Sequence, residues 1–253
     1  MKSLRPFTLL LTVACLPAMA QEVTVAWREK PPYHYTLDGV ERGFLLERGK
    51  RIFRAAGVKA RFVAEPQQRI WSNFKEGKGY YCSLGRYHKP ERDAFAQYSH
   101  AIHTDPPQSL LASPEALERV RAHKTFASLL ADKTLQLGLM EGGSYGPYLD
   151  GMIEKAGNVP TRRTVDSSTL LRMAGANRMA YTIADRYGYD YLKARDPQAA
   201  ALTPVEMPDM SPGMRRFLVC SRDIPPEVMQ KLNKAIDKFR FADKPPTAAE
   251  LAE

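Results

Sequence analysis

Two stretches of the 253-residue chain hold the residue types that do chemistry. Residues 82–99, CSLGRYHKPERDAFAQYS, set Arg86, Tyr87, His88, Lys89 and Arg92 directly behind Cys82. Residues 142–146, GGSYG, match the G-x-S-x-G pattern of a serine nucleophile, and they lie between an apolar run and a helix-like segment, the context that pattern needs. In that chain order the serine must be followed by a histidine, yet His34, His88, His100, His103 and His123 all precede Ser144. What survives is physical. Glycines let a backbone approach a ligand, and the N–H groups at a helix start favour a carboxylate or phosphate. Gly143 and Ser144 serve equally as a plain turn with Ser144 as N-cap.

His100 and His103, with His88 nearby, invite a metal. Zinc or copper needs further ligands in fixed geometry, which neither the spacing nor a cysteine pair supplies, so no metal site is expected. Glu206, Asp209 and Glu227 form no acid/base pair, no G-x-x-x-x-G-K-[ST] loop occurs, and neither a catalytic residue nor a cofactor is expected. Asp185 directly follows the apolar run 179–184. Ligands collect at the carboxyl ends of strands in α/β sheets, so Asp185 is placed either to hold an ammonium group or to cap the next helix.

The elements that position these residues begin after a leader. Lys2 and Arg5, an apolar run over 7–16 and Ala18-Met19-Ala20 read as a secretory signal peptide over 1–20. Cys15 raises a lipoprotein form, which Thr12 disfavours, so a soluble periplasmic protein is expected. The formal charge is +9, with 37 basic residues scattered among 28 acidic ones and no aromatic-interleaved basic stripe. That argues for an anionic small ligand, or for plain solubility, before nucleic acid. The mature chain keeps Cys82 and Cys220, which in an oxidising compartment read as one disulfide, two buried free thiols being the alternative.

Strands are expected over 23–27, 60–64, 80–84, 135–140, 163–165, 179–184 and 215–220. Helices are expected over 43–56, 67–75, 145–155, 168–174 and 226–239, with a turn at Asp38-Gly39. This alternation predicts mostly parallel sheets with helices on their faces.

VTVAWREKPPYHY followed by LDGVERGF, then FKEGKGYYCSLGRYHKPERDAFAQYS, LGLMEGGSYGPYL and NRMAYTIADRYGY, in that order, resemble bacterial periplasmic solute-binding proteins of the polar amino-acid ABC-transporter kind (family 3). The resemblance runs from about Val23 to Phe239. It implies an α/β, two-lobed, periplasmic-binding-protein-like (type II) fold with two hinge crossovers. Lobe one would span 21–111, lobe two 112–206, the return segment 207–241 and a flexible tail 242–253, with crossings near 111–113 and 205–207. It implies a carboxylate clamp at Arg92, a closing loop at Gly143-Ser144, an ammonium acceptor at Asp185 and an aromatic wall at Tyr33. Lys89 stands where the family carries threonine, Gly143 where it carries serine or threonine, and Arg86 and Tyr87 where smaller residues are common. A more basic, bulkier pocket is therefore expected, open to dicarboxylates as well as amino acids. The implied partners are a small anionic or zwitterionic ligand and an inner-membrane ABC permease or sensor, the protein itself being a monomer. The alternative is a periplasmic enzyme on the same scaffold, similar to cyclohexadienyl dehydratase, with Asp185 or Glu141 as general acid.

Overall fold

The structure, a computed structural model, describes residues 21–210, 212–247 and 250–251. The expected leader, with Cys15, lies outside the described residues.

β1 (Val23–Trp27) is buried along nearly its whole length, the pattern of a parallel strand covered on both faces. Asp38 and Gly39 join β2 (Tyr35–Leu37) to β3 (Val40–Arg42), and their φ values of 53° and 74° suit a type I′ hairpin. α1 (Phe44–Ala56) turns Phe44, Leu45, Ile52 and Phe53 inward and stops at Gly57, which takes the left-handed conformation. β4 (Ala60–Ala64), α2 (Gln67–Lys75), β5 (Tyr81–Tyr87) and β6 (Ala96–Thr104) complete the outgoing half of lobe one.

Lobe two carries β7 (Ser109–Ala112), α3 (Leu117–Arg121), α4 (Phe126–Ala131), β8 (Leu137–Met140), α5 (Pro147–Lys155) and β9 (Thr161–Arg163). It continues through α6 (Ser167–Gly175), β10 (Tyr181–Ala184), α7 (Arg186–Lys193), α8 (Pro197–Ala200) and β11 (Thr203–Val205). The chain returns to lobe one as β12 (Arg215–Ser221) and α9 (Pro226–Phe239). The two sheets run β4-β1-β5-β12-β6 and β11-β7-β10-β8-β9.

Both sheets are mixed rather than mostly parallel. β1 pairs in parallel with β4 and β5, whereas β12 is antiparallel to β5 and β6. In lobe two β7 is antiparallel to β10 and β11. The strands that run against both neighbours, β12 and β7, are the first after each crossing. The first crossing is residues 105–108, because the apolar run at Leu110 and Leu111, expected to end lobe one, is β7 of the second sheet. An apolar strand does not announce which sheet it joins. The second connection is residues 206–214, and the backbone N–H of Asp105 donates to the carbonyl of Met214 at 2.8 Å, tying the two crossings together.

Cys82 and Cys220 are opposed residues of β5 and β12, and they form a disulfide across 138 positions of sequence. The bridge encloses the whole of lobe two. The described residues beyond α9 do not leave the surface as a flexible tail would. Phe241 is buried, and the Glu250 carboxylate accepts from Arg48 Nε at 3.0 Å. Arg48 is itself 2% exposed, so it needs that carboxylate and the carbonyl of Phe241 at 3.1 Å.

Candidate anion-binding cleft

A cavity of about 600 Å³ lies between the lobes. Its walls are the segments that follow the carboxyl ends of five parallel strands: Arg28 after β1, Glu65 after β4, Arg86 and Tyr87 ending β5, Gly143 and Ser144 after β8, and Asp166 after β9. This is where ligands gather in α/β sheets.

Arg86 reaches the cleft because of Gly85. In a regular strand Ser83 and Arg86, three apart, would point to opposite faces. Gly85 instead adopts φ +72°, and the register with β12 shifts between Phe217 and Val219, the signature of a β-bulge. Arg86 is thereby turned onto the face of Ser83, and its Nε donates to Ser83 Oγ at 2.8 Å. A Cβ on Gly85 would sit 2.6 Å from Leu45 Cδ2, so glycine is required for room as well as for conformation. Arg86 is 6% exposed, and its Nη2 is buried without a hydrogen-bond partner. Burial lowers its pKa well below the ordinary arginine value, and the positive charges of Arg28, Arg92 and Arg216 lower it further.

Arg216, from β12, is the opposite case. Its Nε donates to Asp105 Oδ1 at 3.0 Å, its Nη2 lies 2.8 Å from Asp105 Oδ2, and its Nη1 donates to the carbonyl of Gly85 at 2.9 Å. Arg216 Nη2 also donates to the Tyr87 hydroxyl at 2.8 Å, and Tyr87 donates in turn to Asp105. Burial alone would raise the Asp105 pKa, but Arg216 outweighs it and holds the carboxyl far below the usual range. Tyr33 donates to Asp105 Oδ1 at 2.9 Å and lies under the Arg216 guanidinium, 4.4 Å from it. With no exposure at all, Tyr33 is a support behind the cleft floor rather than the expected wall.

Arg92 ends a 3₁₀ turn over Pro90–Arg92 and lies flat on Trp71, its guanidinium carbon 3.7 Å from the ring centroid. The indole stacks it at the cavity edge, while Arg86 approaches the same ring at 5.7 Å. Lys89 faces Glu91 at 3.7 Å and, across the lobes, Asp150 at 3.9 Å. Arg28, Arg86 and Arg92 have no carboxylate within ion-pair distance among the described residues.

On lobe two, Gly143 and Ser144 line the cavity. Ser144 is not the N-cap of α5, a position held by Gly146. Its hydroxyl donates to Asp150 Oδ2 at 2.5 Å, and Tyr145 N–H donates to Asp150 Oδ1 at 2.8 Å, so Asp150 occupies donors that the loop was expected to offer a ligand. Asp185 caps α7, accepting from Gly188 N–H at 2.8 Å, and also holds the ammonium of Lys30 from lobe one. Burial would raise the Asp185 pKa, but Lys30 and Arg216 keep it below the ordinary carboxylate value. A general acid needs the opposite shift, so Asp185 does not suit the dehydratase role considered for it.

The histidines serve elsewhere. His88 meets Asp93 at 3.0 Å and His100 meets Asp237 at 2.8 Å on the surface, while His103 is buried 3.2 Å from Asp105. None of them approaches Ser144 as a base would. Arg28, Lys30 and Arg216 lie in or beside the cleft and were not among the residues expected there. Arg28 and Lys30 stood just past an apolar strand, the same signal that marked Asp185; nothing local distinguished Arg216 from Arg215.

No protein-family model matches the chain, and no curated protein is significantly similar to it in sequence. Solved structures are similar. One, from Streptococcus mutans, concerns glutathione import via GshT and the cystine ABC importer TcyBC: TM-score 0.70, 16% identity, 88% of this chain and 90% of that one. The arginine-, lysine-, histidine-binding protein ArtJ of Geobacillus stearothermophilus superposes with TM-score 0.69 at 14% identity, over 92% of this chain and all of its own. The fold is that of the two-lobed periplasmic binding proteins. A histidine kinase sensor domain similar to such proteins matches at TM-score 0.68 and 17% identity, over 87% and 90% of the two chains. The same scaffold thus occurs in binding and in sensing proteins.

Proposed function

We propose that the mature chain is a periplasmic solute-binding protein that holds a small anionic solute, an amino acid or related carboxylate, between its lobes. The observation that carries this reading is buried Arg86, which lines a cavity shared with Arg28 and Arg92 and whose Nη2 has no hydrogen-bond partner. A buried charge without a partner is costly, and a carboxylate is one of the anionic groups that satisfy guanidinium geometry in two bonds. Arg86, Arg28 and Arg92 are the anion-binding residues in this reading, Tyr87 and Trp71 shape the pocket, and Gly143-Ser144 forms the opposing wall. The leader read in the sequence supports export, and the roles of structurally similar proteins support delivery to an inner-membrane permease or sensor.

A thermal-shift panel of amino acids and small carboxylates on the mature protein tests it. At least one anion is expected to raise the melting temperature in proportion to the logarithm of its concentration. Arg92→Ala is expected to weaken that response without unfolding the unliganded protein. A response of unchanged size in both Arg92→Ala and Arg86→Gln contradicts the assignment of the cleft.

A further inference from the structure

The position in the cleft that would receive an ammonium group is already occupied by the protein. Lys30 and Asp185 form an ion pair with side chains 8% and 9% exposed, and the remaining Asp185 oxygen is spent on Gly188. Asp105, the other buried carboxylate, is consumed by Arg216, Tyr33 and Tyr87. The other acidic groups on the cavity wall are not buried: Glu65 accepts from Tyr81 at 2.7 Å and Asn73 at 2.8 Å on Oε2 and faces Lys78 at 3.7 Å through Oε1, while Glu29, which accepts from Thr36 at 2.8 Å, and Asp166, which caps α6, are exposed to water. Glu141 stands exposed at the rim. Against these, Arg28, Arg86 and Arg92 face the cavity without a carboxylate, and Arg86 is buried.

We propose, building on the binding role argued above, that the ligand is a compact polycarboxylate without an ammonium group, seated on Arg86, Arg28 and Arg92, and that Lys30 excludes α-amino acids. An amino-acid ammonium entering the cleft would lose its hydration beside three guanidinium groups and find no free buried acceptor. A second or third carboxylate would instead relieve the repulsion among the arginines. Discrimination of this kind is strong because the wrong ligand leaves a desolvated charge unpaired.

Matched pairs separate the two outcomes. Succinate differs from L-aspartate, and glutarate from L-glutamate, by the ammonium alone, while tricarballylate adds a third carboxylate. Isothermal titration of the mature protein with these five and L-arginine is expected to give binding by at least one deamino acid. Its dissociation constant should be at least tenfold below that of its amino counterpart, and Arg86→Gln should weaken it at least tenfold. Should Arg86→Gln fail to fold, Arg28→Gln, at a partly exposed position, reads the same loss. Lys30→Gln, which frees Asp185, is expected to narrow the gap within each pair. An amino acid that binds as tightly as its deamino partner, or L-arginine binding best, overturns the selectivity while leaving the binding role intact. Silence from all six overturns the selectivity too, and the wider thermal-shift panel then judges the binding role separately.

Discussion

Asp105→Asn removes one charge from the junction of the two crossings and changes almost nothing in shape. Asp105 sits in the first crossing, Arg216 is the second residue of the strand after the second crossing, and both side chains are under 5% exposed. The substitution leaves the Arg216 guanidinium buried without its counter-ion, and its new amide donors face donors on Arg216 and Tyr87. Breaking a buried pair in this way destabilises by about 3–5 kcal/mol. The carbonyl of Gly85 and the hydroxyl of Tyr87 still accept from Arg216, so the lower end is expected, about 3 kcal/mol. For a protein of this size that lowers the melting temperature by about 6–12 °C. Thermal unfolding followed by circular dichroism at pH 7 measures it. The double variant Asp105→Leu/Arg216→Met, which leaves no unpaired charge, is expected to recover most of the loss. The pH dependence has a definite sign. The folded Asp105 pKa is lowered, so its stabilisation is fully present above the ordinary carboxylate pKa of about 4 and is lost as pH falls through the folded value. The gap between parent and Asp105→Asn should thus be constant from neutral pH to about pH 5 and shrink below about pH 4. A loss under about 1 kcal/mol at pH 7, or a double variant as unstable as the single, refutes the reasoning.

Gly85→Ala forces a Cβ to 2.6 Å from Leu45 in a left-handed conformation, and it should both destabilise the fold by about 1–3 kcal/mol and weaken anion binding by displacing Arg86; paired melting and titration curves check it. Removing the bridge with Cys82→Ala/Cys220→Ala opens a 138-residue loop and should lower stability by up to about 5 kcal/mol, read by urea unfolding with non-reduced parent as control. Lys30→Met leaves Asp185 uncompensated between the lobes and should destabilise by about 3 kcal/mol at neutral pH, with less effect in acid as Asp185 protonates.

Much of the scaffold was legible because periodicity reports burial. The ranges expected for the helices at 67–75 and 226–239 and the strand at 60–64 match the observed elements. β6 was not expected, since AQYSHAIHT alternates too weakly and owes its place to β12 and not to its own pattern. The first crossing was misplaced for a related reason: Leu110 and Leu111 are apolar in either sheet. Arg86 and Tyr87 stood out by type, but the strand expected over 80–84 ended before Gly85, so the bulge there was not foreseen. The pairings decided the site, and they are non-local. Lys30 meets Asp185 across 155 positions, and Arg216 meets Asp105 across 111. Each pairing consumes a charge that the linear sequence shows as free, which is why Asp185 looked like a ligand group.

The arginine-lined cleft is proposed to hold an anion. Mass spectrometry of the small molecules released on denaturing the freshly purified mature protein, run beside Arg86→Gln, tests it most directly. A carboxylate-bearing solute approaching one equivalent is expected in the parent, and a several-fold smaller amount in the variant. An equal amount in both, or a parent solute with no acidic group, contradicts it.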